Sequence, residues 1–178
     1  MTHGVLTTEP LDADDLRAVT AFAVHCATPV LPVFAAARPD DPRPALAVAV
    51  AADFANGGRR GKALRDAAFG ALAASREVRS AAGSDAALSA MHAAGSAYLH
   101  PLAKATQVKH ILGSAAHAAV ALGLAPDSAP GAVHLDAVVG LSSDRMVDVL
   151  RRYPDAPPGG GMVGEWIRLL DRALRTSR

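Results

Sequence analysis

Residues 97–113 read AYLHPLAKATQVKHILG and collect titratable side chains in a chain that is otherwise rich in alanine. A helix that begins at Pro101 makes one turn every 3.6 residues, so one of its stripes carries Lys104 at its edge and then Gln107, His110, Ser114 and His117. This set is the histidine stripe. A neighbouring stripe is apolar and is the expected core face: Val108, Leu112, Ala115, Ala119 and Leu122. The stretch therefore predicts a packed helix with a polar stripe beside its buried face.

The composition favours helices over strands. The chain has 178 residues, about the size of one domain, and aromatic residues make up only 4% of it. Alanine is the strongest helix former and is frequent in every periodic segment, whereas the strand-forming Tyr, Phe and Trp are scarce. We predict an all-α fold, a single compact multi-helix bundle of about six to eight helices. Residues 1–10 are expected to form an N-terminal arm and residues 11–178 a single helical domain.

The charge balance argues against several classes of partner. Lys and Arg number 18 and Asp and Glu 17, a net charge of +1, which creates no field to recruit nucleic acid or an anionic membrane. Residues 1–10 lack the basic patch and apolar run of a signal peptide, and no uninterrupted apolar stretch of about 18 residues follows. The single cysteine, Cys26, lies in an apolar run and predicts a buried thiol. We expect a cytoplasmic protein with no nucleic-acid partner and no membrane span.

Helix start and stop signals divide the chain into successive elements. Asp12 with Asp15 three residues later predicts an N-cap, and we assign this acidic cluster to capping and not to catalysis. Pro29 and Pro32 predict a kink near Thr28. The other expected elements are helices from Asp41–Pro42 to Asn56, Arg59 to Ala82, Asp85 to Leu99 and Pro101 to Gly123, one or two helices within residues 133–150, a surface loop at 153–161 and a helix from Val163 to Arg175.

Two glycine-rich stretches match phosphate-binding motifs in letters but not in context. Residues 159–164 read GGGMVG and satisfy G-x-G-x-x-G, yet no predicted strand precedes them, so we interpret them as a surface loop. Residues 56–63 read NGGRRGKA and resemble a P-loop in which Asn56 replaces the first glycine and Ala63 the metal-binding hydroxyl. Arg59, Arg60 and Lys62 remain as a basic cluster, either a solvated loop or an anion or partner contact.

The histidine stripe and its neighbours are the candidate functional residues. Histidine exchanges protons near neutral pH and lysine can hold an anion, so His110, Lys104 and His117 are the candidate catalytic residues. His110 and His117 are two turns apart, about 10 Å, too far to share a zinc ion, and we expect no metal and no cofactor. The structural alternative is that these side chains hydrogen-bond across helix contacts or face water. The candidate binding set is Asp66, Tyr98, His100, Lys104, Gln107, His110, Ser114 and His117.

Several longer phrases point to one family. They are LRAVT at residues 16–20, ARPDDPRP at 37–44, KALRDAA at 62–68, YLHPLAKATQVKHILG at 98–113 and LRRYP at 150–154. Together they resemble the actinobacterial immunity proteins of the Imm-5-like domain family, whose members often carry the name of the exonuclease SbcC. The resemblance implies a small helical cytosolic protein that binds and silences a cognate toxin, and it transfers no catalytic residue. Residues 133–139, VHLDAVV, are more apolar than the corresponding helix of the relatives.

Two functions remain open at this point. In the first, an immunity-type protein contacts a cognate toxin through the polar stretch from His100 to His117 and the basic Arg59–Lys62 loop. In the second, a small molecule binds between helices where Lys104, Gln107, His110 and His117 converge with Asp66 or Tyr98. His110 would then carry the proton and Lys104 would anchor the anion. A homodimer through an alanine-rich helix face is compatible with either function.

Overall fold

The first helix begins at the acidic cap that the sequence predicts. The computed structural model describes residues 10–177, so the expected N-terminal arm lies, apart from Pro10, outside the described residues. Asp12 accepts a hydrogen bond from the Asp15 amide at 2.7 Å, and the Asp15 carboxylate accepts one from the Asp12 amide. Helix α1 (Ala13–Ala27) continues through a 3₁₀ turn into α2 (Leu31–Ala37), which confirms the predicted proline kink.

Seven further helices follow in the described chain. They are α3 (Arg43–Ala55), α4 (Lys62–Glu77), α5 (Ala81–Gly95), α6 (Val108–Ala121), α7 (Ala129–Gly140), α8 (Asp144–Arg151) and α9 (Gly161–Thr176). With α1 and α2 counted as one kinked helix, residues 10–177 form eight helices and no β-strand. The predicted all-α bundle is therefore confirmed, and so is the loop before α9.

Serine caps set the starts of two helices, one of which alanine periodicity misplaces. The helix predicted from Arg59 to Ala82 is shorter, because Val78 has an extended backbone and α4 ends at Glu77. Ser80 then caps α5 by accepting a hydrogen bond from the Gly83 amide at 3.0 Å, so α5 begins before Asp85. Ser143 caps α8 in the same way. A local side-chain acceptor for a free amide outweighs helix propensity at these positions.

One buried apolar cluster joins the helices, with α5 and α6 at its centre. Helix α5 packs against α4 and α6, and α6 also packs against α1 and α9. The cluster extends from Leu16 in α1 to Leu174 in α9 and includes Trp166, whose ring nitrogen donates to the Leu124 carbonyl oxygen at 3.1 Å. Many of its members are alanines, and side chains this small let helix backbones approach closely.

A buried carboxylate ties the first helix to α8. Asp15 is only 3% exposed and accepts hydrogen bonds from Arg145 Nε at 2.9 Å and from Arg152 Nη1 at 2.7 Å. Burial alone raises the pKa of Asp15, but the hydrogen bonds from Arg152, Arg145 and the Asp12 amide outweigh burial and hold this pKa below its usual value. Asp15 is therefore more than a cap, since it also fixes α8 against α1.

The kinked helix from Ala13 to Ala37 is long and apolar enough to cross a membrane by length and composition, with a mean hydropathy of 1.7. Its buried residues include Val19, Phe22 and Ala27, which belong to the central cluster. Cys26 is buried there as predicted, and burial raises the pKa of its thiol to about 12. A helix at the centre of a bundle has the same composition as a membrane span.

Candidate functional site

The segment before α6 is not the helix that the sequence predicts. Helix α6 begins at Val108, and residues 101–104 form irregular backbone before a 3₁₀ turn at Ala105–Gln107. His100 Nδ1 accepts a hydrogen bond from the Leu102 amide at 3.0 Å, and Gln107 Oε1 accepts one from the His100 amide at 3.1 Å. Tyr153 Oη donates to the His100 carbonyl oxygen at 2.8 Å. These side chains satisfy the backbone locally, so Pro101 starts no helix.

The histidine stripe therefore does not form one surface. The Gln107 side chain accepts a hydrogen bond from the His100 amide. Lys104 and His110 are exposed, whereas Ser114 and His117 are buried. Ser114 Oγ donates to the Ala23 carbonyl oxygen at 2.8 Å, which is the structural role that we weighed as the alternative. The predicted convergence of Lys104, Gln107, His110 and His117 on one pocket was wrong. Lys104 and Gln107 precede the helix, and on α6 His110 is exposed whereas His117 is buried. Leu122, expected in the core, is 45% exposed.

Three members of the candidate binding set lie together elsewhere, in an exposed cleft. Asp66, Tyr98 and His100 line a depression of about 660 Å³ with Arg60, Lys62 and Arg65. Arg60, Leu99 and Pro101 also line an adjoining depression of about 580 Å³. That second depression contains Arg17 and Arg59. We call the two depressions together the Tyr98 cleft.

Tyr98 is the centre of this cleft and is held from two sides. Its hydroxyl donates to the Gly61 carbonyl oxygen at 2.6 Å, which fixes the ring against the loop before α4. The guanidinium carbons of Arg60 and Arg65 lie 5.9 Å and 5.3 Å from the centre of the ring, within the range of cation–π contacts. Arg60 also donates to the Ala97 carbonyl oxygen at 3.3 Å. The aromatic ring thus has two cations close to it at the surface.

The Tyr98 cleft has an excess of positive charge. Lys62 pairs with Asp66 and Arg17 with Asp14, but Arg59, Arg60 and Arg65 form no ion pair with a carboxylate among residues 10–177. Sequence reasoning identified Arg59, Arg60 and Lys62 but missed Arg65. The signal was present, since Lys62, Arg65 and Asp66 have the three- and four-residue spacing that places side chains on one helix face.

A second cluster is buried between α5 and α6. Asp85 Oδ1 lies 2.7 Å from His117 Nδ1, and the rings of His117 and His92 stack with centroids 5.2 Å apart. Burial, together with the nearby His117, holds the pKa of His92 well below its usual value. Burial also lowers the pKa of His117, although Asp85 acts to raise it. The cluster therefore contains neutral imidazoles at neutral pH, one of them oriented by a carboxylate.

A glycine makes the stacking of these rings possible. A Cβ atom at Gly113 would lie 2.7 Å from His92 Nδ1, so a larger residue would force the His92 ring to move. The sequence predicts only a helix start at Asp85 and indicates no contact for either Asp85 or His92. Their meeting with His117 depends on how α5 packs against α6, which a single sequence does not show.

The two phosphate-binding motifs remain incomplete in the structure. Within residues 10–177 no strand precedes the glycines at 159–161, and these glycines form the turn into α9 with positive φ angles. The loop at residues 56–61 lies at the rim of the Tyr98 cleft and not around a phosphate cradle. The described residues contain no group of three or more His, Cys, Asp or Glu side chains that could hold a metal ion.

The amino-acid sequence of this helical chain matches a known family. The model of the Imm-5 like putative immunity protein family matches residues 9–137, and the chain belongs to this family. The match ends within α7, so α8 and α9 lie beyond it. No curated protein and no solved structure is significantly similar to the chain.

Proposed function

We propose that this protein is an immunity-type protein that binds a cognate toxin and neutralises it. The observation that carries the proposal is its membership of a family of putative immunity proteins over residues 9–137. Binding of this kind requires no cofactor and no reaction at the protein. We propose that the complex forms in the cytoplasm.

The Tyr98 cleft is the surface that we assign to toxin binding. It is exposed, it is the place where Asp66, Tyr98 and His100 lie together, and it borders the basic Arg59–Lys62 loop. Tyrosine and arginine are the residues most enriched at energetically important positions of protein interfaces. A tyrosine ring already fixed by the Gly61 carbonyl oxygen and two nearby guanidinium groups loses little side-chain freedom on binding.

The charge of the cleft defines the partner surface. Arg59, Arg60 and Arg65 present positive charge without a carboxylate partner in residues 10–177, so the complementary surface of the toxin is acidic. The protein as a whole carries a net charge of only +1, which gives no long-range attraction to nucleic acid. A local cationic cleft on a nearly neutral protein fits an acidic patch of another protein.

The experiment is a protection assay with a toxin encoded beside the gene of this protein. The toxin is expressed in a sensitive bacterial host with the wild-type chain or with Arg65→Glu, which reverses one charge in the cleft. The matched control is Arg76→Glu, an exposed arginine on the same helix that lines neither depression of the cleft. We expect wild type and the control to protect, and Arg65→Glu to lose at least tenfold in survival and in toxin affinity at an unchanged melting temperature.

Two results would contradict parts of this proposal. If the wild-type chain neither binds nor protects against the neighbouring toxin, the immunity function is wrong. If Arg65→Glu protects as well as Arg76→Glu does, the function stands but the Tyr98 cleft is not the contact surface. Size-exclusion chromatography of the free chain at several concentrations tests whether a homodimer competes for the same surface.

A further inference from the structure

A small pocket lies between α6 and the turn that leads into α9. Its volume is about 300 Å³, and no residue of the Tyr98 cleft lines it. The apolar walls are Pro157, Pro158, Val163 and Ile167, and the polar side chains are Lys109 and His117. An apolar cavity with a few convergent polar groups is the usual form of a small-molecule site.

His117 presents one ring nitrogen that nothing in the fold uses. Its Nδ1 is held 2.7 Å from Asp85 Oδ1, and its Nε2 has no hydrogen-bond partner in residues 10–177. The side chain is only 9% exposed, and the part that remains accessible is part of the pocket lining. The Asp85 carboxylate accepts the Nδ1 hydrogen, so the neutral ring offers a lone pair at Nε2.

Positive charge also lies at this pocket. Lys109 is exposed and has no carboxylate partner within the described part of the chain. No side chain caps the first turn of α9, whose N-cap residue Gly160 also lines the pocket. The free amides and the dipole at this helix end favour an anionic oxygen. The buried His117 ring, whose Nε2 has no hydrogen-bond partner in residues 10–177, is a second and independent feature of the site.

We propose that this pocket binds a small carboxylic acid with an apolar body. Its carboxyl group lies between the Lys109 ammonium group, His117 Nε2 and the first-turn amides of α9, and its apolar part contacts Val163 and Ile167. At roughly 30 Å³ for each non-hydrogen atom, the cavity holds a ligand of about ten such atoms. This site is separate from the toxin-binding surface, and its existence does not depend on the immunity function.

Binding from neutral solution takes up one proton. The ligand arrives as a carboxylate and His117 is neutral, so a proton must lie between the carboxyl oxygen and Nε2 to form their hydrogen bond. The groups that face His117 are Asp85 and His92 from α5 and Lys109 from α6, and the pocket residues of α9 and the preceding turn are uncharged. Asp85 stabilises the protonated ring, so binding strengthens as the pH falls from 8 to 6.

Benzoate is a suitable probe because it combines a carboxylate with a flat apolar ring of the right size. We expect isothermal titration calorimetry and NMR to detect one benzoate site on the full chain, with shifts at His117 and Val163. Lys109→Gln should weaken binding at least fivefold, whereas Lys104→Gln, an exposed lysine of the segment before α6, should leave it unchanged. Benzamide, which has the same shape without the charge, should bind at least tenfold more weakly.

A second pair of variants tests the imidazole. His117→Gln should abolish the pH dependence of benzoate binding, and His110→Gln on the same helix should retain it. Because His117 is buried, the Lys109 pair and the benzamide comparison keep the test valid if His117→Gln does not fold. The proposal is overturned if benzoate shifts no resonance of the pocket, if benzamide binds equally well, or if the two lysine variants weaken binding equally.

Discussion

The Tyr98 cleft and the buried cluster of Asp85, His92 and His117 both contain cation-forming side chains but hold them in opposite ways. In the cleft, Arg59 and Arg65 are exposed and unpaired with carboxylates of residues 10–177, so their charges are available to a partner. In the buried cluster, His92 and His117 are held by stacking and by Asp85. Substitutions in the cleft should therefore change binding with little cost in stability, whereas substitutions in the buried cluster should change stability first.

The largest expected effect comes from Gly113→Ala, which tests whether the buried cluster is as tightly packed as the distances indicate. The added Cβ would lie 2.7 Å from His92 Nδ1, and forcing the ring aside should lower the free energy of unfolding by about 2 kcal/mol. Urea denaturation measures the loss. Gly95→Ala is the control, since nothing lies within 4 Å of its new Cβ and the change should be neutral or slightly stabilising. Equal stability of the two variants would contradict the packing.

The second prediction concerns acid, because His92 and His117 are buried whereas His100, the histidine of the cleft, is exposed. The pKa values of His92 and His117 are lower in the folded chain than the usual 6.5, so the unfolded chain binds protons more strongly. Stability is then complete above about pH 6.5 and is lost as the pH falls below it, by about 1.4 kcal/mol per pH unit for each histidine that stays neutral. Urea denaturation from pH 7.5 to 5.5 measures the slope.

The matched variants for this pH effect are His92→Gln and His25→Gln. His92→Gln should reduce the slope of the free energy of unfolding against pH, whatever its effect on stability at pH 7.5. His25→Gln should retain the slope, because His25 is exposed on α1. A wild-type chain that is equally stable at pH 5.5 and 7.5 would show that these histidines become protonated without cost.

The smallest expected effect belongs to the cleft. Lys62→Ala removes the ion pair with Asp66, in which both side chains are exposed, so the free energy of unfolding should change by less than about 0.5 kcal/mol. Thermal denaturation at low and high salt measures it. A loss as large as that of Gly113→Ala would mean that the cleft is part of the stabilising framework and not a free surface.

The fold could be predicted because its signals are local. Alanine periodicity, the Asp12–Asp15 cap and the prolines at 29 and 32 act within a few residues, and the structure places helix α1 and its kink where these signals lie. The start of α6 was mispredicted for a related reason. His100 and Gln107 satisfy backbone amides through their side chains, and that competition with the helix is not visible in periodicity.

The candidate site could be predicted only in part, because its contacts connect distant positions. Tyr98 and Asp66 were selected for their chemistry, and the cleft does bring them together with His100. His117 was selected too, but its partner Asp85 is 32 residues away and lies on another helix. Nothing in either local sequence indicates that pair, and the packing of α5 on α6 alone creates it.

The position of Asp15 also affects the order in which the nascent chain can mature. Its two arginine partners are 130 and 137 residues further along the sequence, so a growing chain that ends before α8 has no cation for this carboxylate. Burying an unpaired carboxylate is unfavourable. The start of α1 therefore remains exposed to water until Arg152 has left the ribosome. The first helix to be synthesised thus docks its start against α8 only when nearly the whole chain has been made.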